Sequence, residues 1–279
     1  MQRFTALLAI TLSLSFGSTA ALADEKTDQR LQDARLVFES FSGLSEQAIP
    51  GWMLERAYGI VVAPKVFELA VGVGGRGGRG VMAVRNPDGS WSNPVFLSLY
   101  GGSFGIQFGM HMTDAVMVLM SRESVEGISG GKFTLGADAS VAAGPVGRTA
   151  SASTDPMLKS QVLSYSRTEG VFAGIAFAGT ALSVDANANA TAYGVPGILA
   201  SQILDGKLGT PSPAALEFKA ALTRATDRAT AAAHTETTAP AAAQPAPAPA
   251  ATPAAEPKSG SPAQTYPMED PQPGAPPPP

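Results

Sequence analysis

Cysteine is missing from all 279 residues, which at once excludes disulfides, thiolate metal sites, a cysteine nucleophile and a lipidated N-terminal cysteine. Histidine is nearly missing: His111 and His234 are the only two, too few for a histidine-based zinc site. The literal G-x-S-x-G matches, Gly101/Ser103/Gly105 and Gly127/Ser129/Gly131, would need a downstream acid and then a histidine. His111 falls in an expected strand and His234 at the edge of a biased tail, so no Ser-Asp-His order can be assembled. No spacing singles out a pair of carboxylates for acid and base work. Charge is also sparse, at 15% of residues with a net −4, and the basic, aromatic-interleaved pattern of nucleic-acid binders is absent. No catalytic residue, metal ligand or cofactor is expected, and no nucleic-acid partner.

Long apolar runs are scarce as well. The one at the N-terminus, Ala6 to Phe16, is short of the roughly 20 residues that a spanning helix needs. With Arg3 before it and Ala21-Leu22-Ala23 after it, residues 1–23 read as a cleaved secretory signal. The expected location is therefore exported, periplasmic or secreted, with a peripheral place at the outer membrane open to it. Past His234 proline and alanine dominate. Such a segment cannot bury enough apolar area to offset its ordering entropy, so residues 229–279 are expected to be a disordered tail and residues 24–228 a single domain.

Within that domain, Leu31, Ala34, Val37, Phe38 and Phe41 recur at helical spacing. Pro50 opens a short helix carrying Trp52, Leu54 and Ala57. Tyr58 to Ala63 has a strand pattern that Pro64 closes. Phe67 to Val73 and Gly80 to Arg85 read as two strands flanking a glycine-rich turn. Asn86-Pro87-Asp88-Gly89 is a turn signal, followed by strands over Val95 to His111 and Thr113 to Ser121. Arg122 to Ile128 reads as a helical turn. Alternation over Phe133 to Ala142, Gly144-Pro145, a returning Thr149 to Ser153, Val162 to Arg167 and an apolar Val171 to Val184 complete a β core. Pro196 to Leu204 and Pro213 to Arg228 read as helices. The expected fold class is α+β: a mainly antiparallel, barrel-like or strongly curved β core bracketed by N- and C-terminal helices.

Gly72, Gly74 and Gly77 match G-x-G-x-x-G, but a nucleotide-binding version joins a strand to a helix, and this one joins strand to strand. The glycine-rich turns do hold cations beside backbone N–H groups, a combination suited to a phosphate head group. Lys65, Arg76, Arg79 and Arg148 are the candidates for such a lipid-binding site, with ordinary solvated surface charge as the competing reading. The N-terminal helix is set aside because its acidic residues outnumber Lys26, Arg30 and Arg35.

Several ordered motifs together resemble a known family. They are Ala57-Tyr58-Gly59-Ile60, Lys65, Gly74 to Val81, Asp88-Gly89-Ser90-Trp91-Ser92-Asn93-Pro94, Gly102 to Gly109, Ala142 to Arg148, Ser164-Tyr165-Ser166-Arg167, Gly170 to Gly174 and Tyr193-Gly194. Over about Asp24 to Arg228 the chain is similar to the SYLF domain. The resemblance implies a non-enzymatic module that binds phospholipid or phosphoinositide-type head groups, here at the cell envelope, with an anionic lipid or membrane surface as partner. Actin, bound by yeast members, is not an expected partner of an exported chain. The alternatives are a structural interaction protein of the envelope without a lipid ligand and, less favoured, an unrecognised hydrolase. If the leader reading holds, the intact mass of the protein recovered from the envelope fraction starts at Asp24; a mass that still includes Met1 to Ala23 refutes it.

Overall fold

In this computed structural model the described residues are 25–43, 49–145, 160–168, 171–173, 177–207 and 210–238, all within one compact unit, Met1–Ala239. The expected leader, Arg148, the returning strand expected at Thr149 to Ser153 and residues 239–279 lie outside them. The elements run α1 (residues 25–41), α2 (Gly51–Arg56), β1 (Gly59–Val84), β2 (Val95–Leu119), α3 (Arg122–Ser129), β3 (Lys132–Thr134) and β4 (Val141–Ala143). β5 (Val162–Thr168), β6 (Val171–Ala173), β7 (Thr180–Val184), α4 (Ala186–Tyr193), α5 (Ala200–Leu204) and α6 (Pro213–Thr238) follow. One seven-stranded sheet has the order β3-β7-β2-β5-β4, with β1 on β2 and β6 on β5. Every pairing is antiparallel except β4 with β5. The architecture is the α+β class expected, a strongly curled antiparallel sheet flanked by N- and C-terminal helices.

The largest departure from expectation is at β1. In place of three short strands and a glycine turn there is one strand of 26 residues, paired along its length with the 25 residues of β2. Two irregularities in register, between Ala63 and Val66 and between Ala70 and Gly72, let it bend. Pro64 does not end the strand because it lies within the first of them, where no ladder donor is required. The bend carries the far half of β1 back across its near half. A Cβ on Gly80 would stand 2.6 Å from the Val62 carbonyl oxygen, one on Gly78 3.3 Å from Val66 Cα, and one on Gly59 3.2 Å from the Ala83 oxygen. Glycines 78 and 80 are there because two backbones meet face to face, the use of glycine that a strand interior permits.

Other boundaries move for local reasons. The alternation from Phe133 onward is not one strand: Asp138 accepts the Thr134 N–H at 2.6 Å, Gly136 has φ +86°, and the chain turns at Leu135 to Ala139. Val171 to Val184 divides into β6 and β7, with Gly179 at φ +78° just before β7. Sequence periodicity missed α4. Asp185 caps it by accepting the Ala188 N–H, and fully buried Asn189 bonds both the N–H and the C=O of Phe96. α6 continues to Thr238, ten residues beyond Arg228, and its buried stripe is Ala214, Ala215, Phe218, Ala221, Leu222, Ala225 and Ala229, while Leu216 is exposed.

The core lies between the sheet and the helices: Leu31, Phe38 and Phe41 of α1, Met53 of α2, Ile60 to Ala63, Phe96, Met117, Leu119 and Phe218 are all buried. The close backbone approach at Gly80 predicts that Gly80→Ala costs upward of about 2 kcal/mol of stability, since backbone rather than a yielding side chain stands in the way. Gly75→Ala, with nothing within 4 Å of its added Cβ, should stay within about 0.5 kcal/mol of wild type. Chemical denaturation of the two variants checks both values.

Candidate cation-lined recess

The doubling of β1 decides which cations meet. Because Gly78 and Gly80 lie across Val66 and Val62, Arg79 comes to the Pro64-Lys65 bulge although it is 14 positions along the chain from Lys65. The bulge itself is a strained feature. Lys65 has φ +51°, the only described non-glycine residue at positive φ, and its N–H is held by Asp114 Oδ1 at 2.9 Å. The Lys65 side chain turns to α1, where Nζ meets Asp33 Oδ2 at 2.9 Å.

α1 supplies the other wall. Lys26, Gln29, Arg30 and Asp33 are spaced i, i+3, i+4 and i+7 and share one face. With Pro64, Lys65 and Arg79 they line a recess of about 270 Å³. Arg30 is the least exposed of its cations: it pairs with Asp185 at 3.1 Å, and its guanidinium lies 5.3 Å from the centre of the Phe96 ring. Burial holds the Arg30 pKa below its ordinary value; Asp185 opposes that shift and the charge of Arg79 adds to it. Lys26 and Arg79 are exposed and make no ion pair among the described residues. Four cations against Asp33 and Asp185 leave a local excess of positive charge, and an anion in the recess would relieve the repulsion between Arg30 and Arg79.

Of the four candidates read from sequence, Lys65 and Arg79 are brought together. Arg76 is not: its side chain is 7% exposed, it donates to both oxygens of Glu68 at 3.1 and 3.2 Å and to Thr180 Oγ1, and it lies 4.5 Å from the Phe177 ring centre. Arg148 is outside the described residues. Sequence reasoning passed over Lys26 and Arg30 because it summed charge along α1. Three acids of that helix are engaged: Asp28 accepts from Ser212, Glu39 from Arg35 and Arg224, and Asp33 from Lys65. Helical spacing was the signal that could have found the basic face.

A larger recess of about 730 Å³ opens beside Asn86 to Asn93, α5 and α6. Its cations are already matched, Lys207 by Asp205 at 2.8 Å and Lys219 by Asn93 Oδ1 at 3.1 Å, and Asp88 adds a further negative charge. It offers an anion no net attraction. Among the described residues no group of three or more His, Asp or Glu side chains is arranged to hold a metal ion, and no helix is long and apolar enough to cross a membrane.

Comparison with known proteins adds an independent line. The family described as Ysc84, Las17-binding protein actin regulator, matches residues 100–225. Protein YSC84 of Saccharomyces cerevisiae is 38% identical over 176 residues, covering 61% of this chain and 36% of its own length. LAS seventeen-binding protein 3 of the same yeast is 34% identical over 170 residues, 60% of this chain and 37% of its own. SH3 domain-containing YSC84-like protein 1 of Xenopus laevis is 32% identical over 170 residues, 61% of this chain and 50% of its own. The chain thus spans half or less of the length of these relatives; the family description and the name of LAS seventeen-binding protein 3 refer to binding, and neither names an enzymatic activity.

The bulge yields a prediction independent of any ligand. Asp114→Ala removes the carboxylate that holds the Lys65 N–H in a left-handed conformation, and should cost about 1 to 2 kcal/mol in denaturant unfolding. Adding Lys65→Gly, which adopts that conformation without strain, should recover part of the loss.

Proposed function

We propose that this chain, which carries a Ysc84 (SYLF) family domain, is a non-enzymatic binding module for anionic phospholipid at the cell envelope. The observation that carries this reading is the convergence of Lys26, Arg30, Lys65 and Arg79 on one recess of about 270 Å³. A recess of that size suits a head group rather than a whole lipid. Lys26 and Arg79 are free to meet phosphate oxygens, while Arg30 and Lys65, tied to Asp185 and Asp33, fix the field around them. The site is the glycine-strand cation set joined to the basic face of α1, so the strand and the helix act as one surface. If the leader is cleaved, the lipid would be that of the envelope.

A second reading places a protein in the recess. It is favoured by the family description, which refers to Las17 binding and actin regulation, and by the name of one relative, LAS seventeen-binding protein 3. Co-sedimentation of the mature chain with vesicles separates the two. Binding to phosphatidylcholine vesicles containing phosphatidylglycerol should exceed binding to phosphatidylcholine alone and fall with salt. Lys26→Gln with Arg79→Gln should weaken it by on the order of thirtyfold, at about 1 kcal/mol for each cation near the surface. Arg122→Gln with Arg228→Gln, both exposed and outside the recess, should change it little. Equal losses in the two double variants, or no binding by wild type, would overturn the lipid reading.

A further inference from the structure

The face of the β1–β2 hairpin just past the Lys65 bulge carries four large, exposed apolar side chains. Phe67 pairs with Met112 and Leu69 with Met110 across the two strands, and these side chains are 36%, 57%, 45% and 65% exposed respectively. Strand alternation puts the four on one face and puts Glu68 and His111, also a cross-strand pair, on the other. That other face is occupied, since Glu68 is held by Arg76. A cross-strand quartet of Phe, Leu and two Met presented to solvent is a contiguous patch rather than scattered exposure. The two methionines are adaptable, a property suited to an irregular apolar partner.

The patch does not stand alone. One residue pair, Val66 with Thr113, separates Phe67 and Met112 from Lys65 and Asp114. The patch therefore starts roughly 7 Å along the hairpin from Lys65, at the usual rise of a strand. Leu36, 56% exposed, lies on α1 within one turn of Asp33, the partner of Lys65. An apolar surface with Lys65 at its edge, itself part of the recess that Lys26 and Arg79 line, complements a bilayer interface, where acyl chains lie beneath anionic head groups. A second copy would bring the same cationic edge against itself.

The geometry points to Phe67, Leu69, Met110 and Met112 as a wedge that enters the acyl-chain boundary of an anionic membrane while the recess holds a head group beside it. This rests on the lipid reading of the recess and adds insertion to it. Binding should accordingly have two components, one screened by salt and one that survives it.

The absence of cysteine makes the test direct, because a single introduced thiol labels uniquely. The mature chain is prepared as Met110→Cys, Met112→Cys and, as a control on exposed α6, Leu216→Cys, each carrying the environment-sensitive probe NBD. Vesicles are phosphatidylcholine and phosphatidylglycerol, with and without acyl-chain spin-labelled lipid. Probes at 110 and 112 should brighten on binding and be quenched by the spin label, and the probe at 216 should do neither. The unlabelled triple variant Leu69→Gln, Met110→Gln and Met112→Gln should lose binding at about 0.5 M salt by about tenfold or more. Should that variant fail to fold, the labelled single variants decide alone. If the wild type binds but the 110 and 112 probes stay unquenched, the wedge is wrong and the recess reading stands. If the wild type does not bind these vesicles, both fail. Brightening that grows with protein concentration in the absence of vesicles means that a second copy covers the patch, and overturns the membrane assignment.

Discussion

Everything distinctive about this domain depends on two backbones touching where side chains would normally keep them apart. The far half of β1 lies against its near half so closely that Gly80 has no room for a methyl group. The Arg76 to Glu68 ion pair spans the same doubled strand, nearer the bend. In a fold of ordinary hairpins Arg79 and Lys65 would be distant along an extended strand, nearly 50 Å apart at the usual rise. Doubled over, they line one recess. The part-buried ion pair is poor evidence of net stability, because desolvation offsets much of its attraction, but one Arg76 nitrogen shared between both Glu68 oxygens favours one register of the fold-over above its neighbours.

The rest of the sequence organises itself around holding that hairpin closed. The Asp88 to Pro94 segment, one of the motifs that carry the family resemblance, is almost wholly consumed by structure. Asp88 accepts from the Ser90 N–H and hydroxyl, which hold its carboxyl below the ordinary value. Ser92 Oγ accepts the Val84 N–H, Asn93 receives Lys219 from α6, and the Pro94 carbonyl receives the Tyr193 hydroxyl from α4. Trp91 is buried with Arg85 above its ring. The loop between β1 and β2 thus serves as the clasp to which α4 and α6 are fastened.

How legible this was in the sequence depends on the range of each interaction. α1, α2, α3, β5 and the α+β class are set by local periodicity and turn chemistry, and they could be read directly. The continuous β1 could not. Glycine and proline ordinarily punctuate strands, and only the tertiary crossing explains why Gly78 and Gly80 sit inside one and why Pro64 falls at a bulge. α4 was hidden because its residues, Ala, Asn, Thr and Tyr, show no amphipathic stripe; it is fixed by Asp185 at its cap and by Asn189 reaching Phe96. Arg76 was legible as a cation beside glycines but not as a buried one, since its partner Glu68 becomes its neighbour only when the strand folds over.

The same distinction governs the charge of the candidate site. A sum over α1 makes it acidic and argues against an anionic partner, yet a partner meets a face. Asp28, Asp33 and Glu39 each have a hydrogen-bond or ion-pair partner on another element, so their charge is spent in fastening the helix to Ser212, Lys65 and Arg224. Lys26 and Arg79, with no ion-pair partner among the described residues, set the outward sign of the recess. Because Asp33 and Asp185 hold Lys65 and Arg30 in place, removing either acid would raise the local positive charge and loosen its geometry at once. Charge and position are therefore not independent variables here: Asp33, one of the acids that make the helix read as repulsive, positions Lys65, and Asp185 positions Arg30.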